Sequence, residues 1–210
     1  NFSLLSAASF RTRHGHLPYN DTDGRLTTAY RTSYGFLIAP LNPLTSRLDA
    51  GLSELPAVSL RQLDKEQAAL VYVYQYLIAN TDWSFVTAEN DELCCHNIEL
   101  VKLGDQHFPI PFDFDLAGLV NAAYARPDPS MGINKVTRRL YRGFCTDREI
   151  LRSALRRITS REDEILGVIA DLPITEQKLK DKRIKYLSSF FKKAQDEDKM
   201  ISMFEKRCHP

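Results

Sequence analysis

Residues 96–115 read HNIELVKLGDQHFPIPFDFD, and the organisation of the chain turns on this stretch. Two β-prone runs, Ile98–Leu103 and 107–112, flank Gly104-Asp105-Gln106. A short Gly-containing link between such runs is a hairpin signal. Antiparallel pairing places the start of the first strand beside the end of the second. Asn97 is therefore expected next to Asp113, with Asp115 closing the same strand end.

Upstream, Ala68, Val71, Tyr74, Leu77 and Ile78 recur at helical spacing, with Asp64 a suitable N-terminal residue. This helix is apolar around much of its circumference, so it is expected to be buried. It runs into Asn80-Thr81-Asp82-Trp83. If it delivers Asp82 to the hairpin edge, three oxygen-bearing side chains meet at one rim. Hard cations such as Mg²⁺ take oxygen ligands of this kind and keep room for water and substrate phosphates. Phosphoryl transfer asks the protein for little more than a carboxylate to orient the attacking hydroxyl, metal ligands and positioning. The order Asp, Asn, hairpin, Asp matches the catalytic loop and metal-binding Asp of protein kinases.

Each residue also has a structural reading. Asn80-Thr81-Asp82 suits a cap or turn, and Asp113 and Asp115 suit a solvated strand end. Trp83 suits a packed core position, and His96 either orients the Asp82 carboxylate or makes an ordinary structural hydrogen bond. Arg138, Arg139 and Arg142 either engage phosphate or a phosphorylated loop, or tie loops to carboxylates.

Elsewhere, residues 17–27 are rich in turn formers and read as a hairpin tip or surface loop. Residues 34–38 form a short apolar run expected as a buried strand. Residues 40–60, broken by Pro40, Pro43, Gly51 and Pro56, are expected to be irregular. Helices are expected from Asp147, from Thr159 with Glu162 in capping-box register, and from Thr175 with a stripe through Leu179, Ile184, Leu187 and Phe190. The sum is an α+β chain whose C-terminal part is mostly helical.

Composition sets outer bounds. With 43% hydrophobic and 26% charged residues the chain resembles an ordinary globular domain. Its 28 Lys and Arg balance 27 Asp and Glu, so no nucleic-acid partner is expected. No stretch approaches the ~20 apolar residues of a membrane span. The chain opens at Asn1 rather than Met, which suggests a processed or excised start. Cys94, Cys95, Cys145 and Cys208 show no CxxC spacing, and neither a disulfide framework nor a zinc site is expected.

The strings IANTDWS, HNIELV, PIPFDFDLAGLVNAAYA and RRLYRGFC resemble an atypical-kinase-like family of uncharacterised bacterial proteins, distantly similar to the HipA and CotH kinases. The resemblance covers roughly residues 9–145. HipA-like kinases carry an N-x-D-x-H-x-x-N loop supplying the catalytic Asp and a metal-binding Asn, and a later Asp supplying a second ligand. The resemblance thus implies Asp82 as catalytic base, Asn97 and Asp113 as metal ligands and Asp115 as a further ligand, with ATP and Mg²⁺ or Mn²⁺ as cofactors. It implies a protein-kinase-like C-lobe over residues 61–210, mostly helical with a catalytic hairpin, and a remnant of the N-lobe and hinge over 1–60. The phosphoacceptor is expected to be a protein or a small hydroxyl-bearing compound. Relatives with a signal-like start imply a periplasmic or secreted location.

The chain departs from that pattern in three places. Asp82 and Asn97 lie 15 positions apart, so the intervening segment WSFVTAENDELCC must fold outward. Ala39 stands where an acidic hinge residue is expected. A Gly-rich loop and a strand Lys, which cover and pair the phosphates in complete kinases, are not among these residues, so transfer by this chain alone is expected to be weak. A pseudokinase or binding module is the alternative, and a metal-dependent phosphohydrolase is a third reading.

Overall fold

The computed structural model describes residues 2–25, 30–53, 55–85, 94–173 and 176–210. The fold is organised around helix α2 (Lys65–Ile78). Asp64 caps it by accepting the Gln67 N–H at 2.7 Å. Every residue from Gln67 to Ile78 is buried, as expected for a helix apolar on all sides. The helix stops at Ala79, which takes the left-handed conformation at φ 53°. The Asn80 N–H bonds to the Gln75 carbonyl at 2.9 Å and the Ala79 N–H to that of Tyr76 at 3.2 Å, the paired bonds of a Schellman ending.

One side of α2 faces a small antiparallel sheet of order β3 (Gly51–Leu52), β4 (Ile98–Leu103) and β5 (Gln106–Pro111). The β4–β5 hairpin pairs Ile98 with Pro111 and Leu103 with Gln106. Gly104 turns it at φ 58°, as the first central position of a type II′ turn requires. Gln67 ties the N-terminal residues to this sheet, donating to Pro109 O at 3.0 Å while its Oε1 accepts the Ser6 hydroxyl at 2.8 Å. Phe2 packs edge-on to Tyr74 at 5.0 Å, so residues 2–8 lie against the same body as α2.

The other side of α2 is covered by α3 (Arg148–Thr159), α5 (Gln177–Ala194) and α6 (Glu197–Glu205), with α4 (Glu162–Ala170) packed on α5. Tyr76 meets Phe204 at 5.1 Å and Phe190 at 6.1 Å, and Tyr141 stacks on Phe204 at 4.4 Å. Arg152 spans α3 to α6, bonding Asp198 at 2.8 Å and also Glu197. Apart from this body, β1 (Thr12–Asn20) and β2 (Tyr30–Ile38) form a two-stranded ribbon that leaves Phe36 and Leu37 exposed. No helix among the described residues is long and apolar enough to cross a membrane.

Several expectations are corrected. Residues 40–60 contain helix α1 (Leu41–Leu48), because Pro43 falls in its first turn, where N–H groups have no intrahelical partner to lose. Residues 34–38 belong to β2, yet Tyr34, Phe36, Leu37 and Ile38 are exposed rather than buried. Among the described residues the ribbon is a two-stranded sheet with no further strand beside it. Of the turn-rich residues 17–27, 17–20 extend β1 of the β1–β2 hairpin, 21–25 follow as its irregular connection, and 26 and 27 lie outside the described residues. Thr159 opens no helix: it ends α3 with its hydroxyl bonded back to Arg156 O at 3.2 Å, and Arg161 precedes α4 without a side-chain cap. Thr175 lies outside the described residues, and α5 begins at Gln177.

The cysteines are also corrected, because Cys94 bridges Cys95 across a cis peptide and Cys145 bridges Cys208. Pairing depends on backbone path, which residue spacing does not encode. The C-terminal helices fold back so that the Cys145 N–H reaches His209 O at 2.7 Å and the His209 N–H reaches Gly143 O at 3.0 Å.

Candidate functional site

The end of α2 sets the first part of the site. Asn80 is buried, and its Oδ1 accepts the Asp82 N–H at 3.0 Å, closing an Asx turn. Trp83 Nε1 donates to the Asn80 carbonyl at 3.2 Å. The Arg142 guanidinium donates to Trp83 O at 2.8 Å and to Thr81 O, gripping the carbonyls on either side of Asp82. Asn80 therefore makes the local turn, and the Asp82 side chain is left for other partners.

Those partners are His96 and Asn97. His96 Nε2 lies 3.0 Å from Asp82 Oδ1, and it is the donor because an ionised carboxylate only accepts. Asn97 Nδ2 donates to Asp82 Oδ2 and to the Asp82 carbonyl, each at 2.8 Å. The segment between Asp82 and His96 is closed at its base, where the Ser84 N–H bonds His96 O at 3.0 Å. Phe85, wholly buried, packs against Tyr72 and Trp83 at 5.2 and 5.1 Å. Both sulfurs of the Cys94–Cys95 disulfide lie 2.8 Å from the Phe85 carbonyl oxygen. Residues 86–93 of this segment lie outside the described residues.

The hairpin supplies the remainder. The Phe112 N–H donates to Asn97 O at 3.1 Å, which sets Asp113 one residue beyond Asn97's partner. Asn97 and Asp113 both adopt left-handed backbone, at φ 54° and 51°. Asn and Asp accept that region more readily than other non-glycine residues, and such outliers cluster at functional sites. Burial, then the negative charge of Asp115 and, further down, that of Asp82, raises the Asp113 carboxyl above its ordinary value. Tyr124 donates its hydroxyl to Asp115 Oδ2 at 2.9 Å.

The chain after Asp115 turns back to α2 through Gly118, whose N–H bonds Ala79 O at 2.9 Å. A Cβ on Gly118 would fall 2.3 Å from Val136 O and 2.8 Å from Ala79 Cβ, so this approach requires glycine. Of the other arginines, Arg139 is structural, bonding Leu77 O at 3.0 Å and Tyr186 O at 2.7 Å.

Two clefts open on this centre. A mainly apolar one of about 680 Å³ runs from the ribbon face carrying His14, Phe36 and Ile38 to Phe112, Asp113 and Asp115. A polar one of about 320 Å³ is walled by the Asp82 loop, His96, Arg142, residues 126–128 and Met131. Among the described residues no group of three or more His, Cys, Asp and Glu converges to hold a metal ion. The oxygen donors at the rim are Asp113, Asp115 and the Asn97 amide oxygen.

Sequence reasoning offered Arg142 as a loop tie but to carboxylates rather than to the Thr81 and Trp83 carbonyls, and it missed the Tyr124–Asp115 bond; both are set by tertiary contacts without a local signal. It also left the turn-forming role of Asn80 undivided from that of Asp82, although an Asn two residues before an N–H it can bind is a legible Asx-turn pattern. Compared with known proteins, the chain matches no family model, no curated protein and no solved structure.

Proposed function

We propose that this chain is the catalytic C-lobe of a kinase-like phosphotransferase that uses ATP with Mg²⁺ or Mn²⁺. The observation that carries the reading is the double hydrogen bond from Asn97 to Asp82 beside the start of the hairpin that ends in Asp113. Because Asn97 spends Nδ2 on Asp82, its amide oxygen is the atom suited to a cation. A donor set of two carboxylates and an amide oxygen fits a hard ion that completes its shell with water and phosphate oxygens. The raised Asp113 carboxyl fits too, since burial and the negative charge of Asp115 and Asp82 raise it, and a bound cation would offset that charge. Asp113, Asn97 and Asp115 are thus the residues to hold the ion, which when bound offsets the charge of the phosphates.

The protein's own residues divide the remaining work. Asp82 accepts the proton of an incoming hydroxyl. His96 and Asn97 hold its two carboxylate oxygens, and Arg142 fixes the backbone on both sides. The apolar cleft beside Asp113 suits a nucleoside, with aromatic side chains at Phe36 and Phe112.

A binding module without turnover is the second reading. It is favoured by one observation: both Asp82 oxygens already accept hydrogen bonds. Radiolabelled ATP with the full-length protein and Mg²⁺ separates these readings from hydrolysis. Label moving to an acceptor supports the transferase, free phosphate alone a hydrolase, and bound nucleotide without turnover the binding module. Asp82→Asn is expected to reduce transfer about 10²–10⁴-fold, the usual worth of a positioned acid or base. Full transfer in both Asp82→Asn and Asp113→Asn would sink the assignment.

A further inference from the structure

The two clefts do not share their acids. Asp113 and Asp115 line the larger, apolar one, whereas Asp82 lines the smaller, polar one. Resting on the phosphotransferase reading, we infer that the polar pocket holds the phosphoryl acceptor and that this acceptor is a small, neutral, hydroxyl-rich molecule of polyol or sugar type.

Three features of the pocket carry this. Its volume, about 320 Å³, stands at the lower end of the ~300–1,000 Å³ found for small-molecule sites. Its lining balances in formal charge, Asp82 and Asp128 against Arg126 and Arg142, with His96 beside them. An ion of either sign meets charge of both signs there, while a neutral ligand with both donors and acceptors can pair with either kind. The apolar remainder of the wall, including Leu116 and Met131, offers surface to the C–H face of such a ligand.

The polar groups are also held in place before any ligand arrives. Arg126 Nη1 is tied to Ala123 O at 2.9 Å and Ala125 O at 2.8 Å. Asp128 Oδ1 accepts the Ser130 N–H at 2.8 Å, capping a short 3₁₀ turn that Gly132 ends at φ 63°. Groups fixed in this way lose little freedom on binding. In the step itself, the acceptor oxygen forms a bond to the γ-phosphorus and its proton passes to Asp82. The bond from that phosphorus to the β–γ bridging oxygen breaks, and its electron pair leaves with ADP.

The experiment pairs turnover with a reading that needs none. Full-length protein, Mg²⁺ and [γ-³²P]ATP are incubated with glycerol, myo-inositol or glucose, and in parallel with casein and a serine-containing peptide. Saturation-transfer NMR with the same polyols reports occupancy of the pocket, and calorimetry reports MgATP binding separately. Label on a polyol, with polyol signals that fade in Arg126→Gln and Asp128→Asn, is the expected result. In those variants the acceptor KM should rise at least about tenfold with little change in kcat, the size expected for a lost hydrogen bond to a charged group. Label on protein alone, polyol binding indifferent to both substitutions, or MgATP binding with no polyol bound would each overturn the inference and leave the phosphotransferase reading standing. Absence of MgATP binding removes that reading and this one with it.

Discussion

Asn97 reaches back across 15 positions to hold Asp82 by both its carbonyl and its Oδ2, each at 2.8 Å. One amide group thereby fixes the backbone and the side chain of the same residue. Replacing that donor by a carboxylate reverses the contact. Asn97→Asp is expected to cost about 1–3 kcal/mol at neutral pH, the penalty for leaving a charged acceptor unpaired. Urea unfolding of variant and parent measures it, and an unchanged midpoint would show that the contact does not hold the loop.

Asp113 gives a signed pH prediction. Its carboxyl is raised above its ordinary value, first by burial and then by Asp115. The folded state therefore favours the protonated acid. That contribution is fully present below the unfolded value, near pH 4, and is lost as pH rises through the folded one. Asp113→Asn keeps the neutral form at every pH, so its Tm should exceed the parent's at pH 7 and converge on it near pH 4. Mg²⁺ or Mn²⁺ should raise the Tm of the parent and not of the variant. Calorimetric scans with and without metal check both statements.

Arg142 tests how far the site depends on a residue 60 positions from Asp82. Its guanidinium serves Thr81 O and Trp83 O and lies 5.7 Å from the Trp83 ring centroid. Arg142→Ala is expected to cost about 2 kcal/mol, lowering Tm by about 4–8 °C in a chain of this size. Arg142→Lys should recover only part of this, because an ammonium lacks the planar fork.

The Cys145–Cys208 disulfide joins residues 63 apart, on the segment that presents Arg142. Loop-closure entropy for such a separation is worth about 4 kcal/mol. The double variant Cys145→Ser/Cys208→Ser should lose stability of that order in urea unfolding. A change under about 1 kcal/mol would place the stabilisation of this end in the helices alone.

What the sequence made legible was local. Asp64 before an all-round apolar run identified α2, and Gly104 between two β-prone runs identified the β4–β5 hairpin, so Asn97 and Asp113 could be set side by side. The meeting of Asp82 with His96 and Asn97 was a conditional expectation, because it depends on how residues 83–95 close. The Ser84–His96 bond and the burial of Phe85 accomplish that closure, and neither has a short-range signature. Helix α1 was hidden by Pro43, a breaker in a helix interior but tolerated in a first turn. Both disulfides were invisible because spacing patterns record frameworks and metal motifs, not the return of a distant segment.

Trp83 is the single tryptophan of the chain. It is buried, adjacent to Asp82, bonded to Asn80 and within reach of the Arg142 guanidinium. The molecule thus carries its own optical probe at the loop where the chemistry is proposed. Its ultraviolet emission comes from that loop and no other, so nucleotide titrations, acceptor binding and the variants above can be followed without attaching a label.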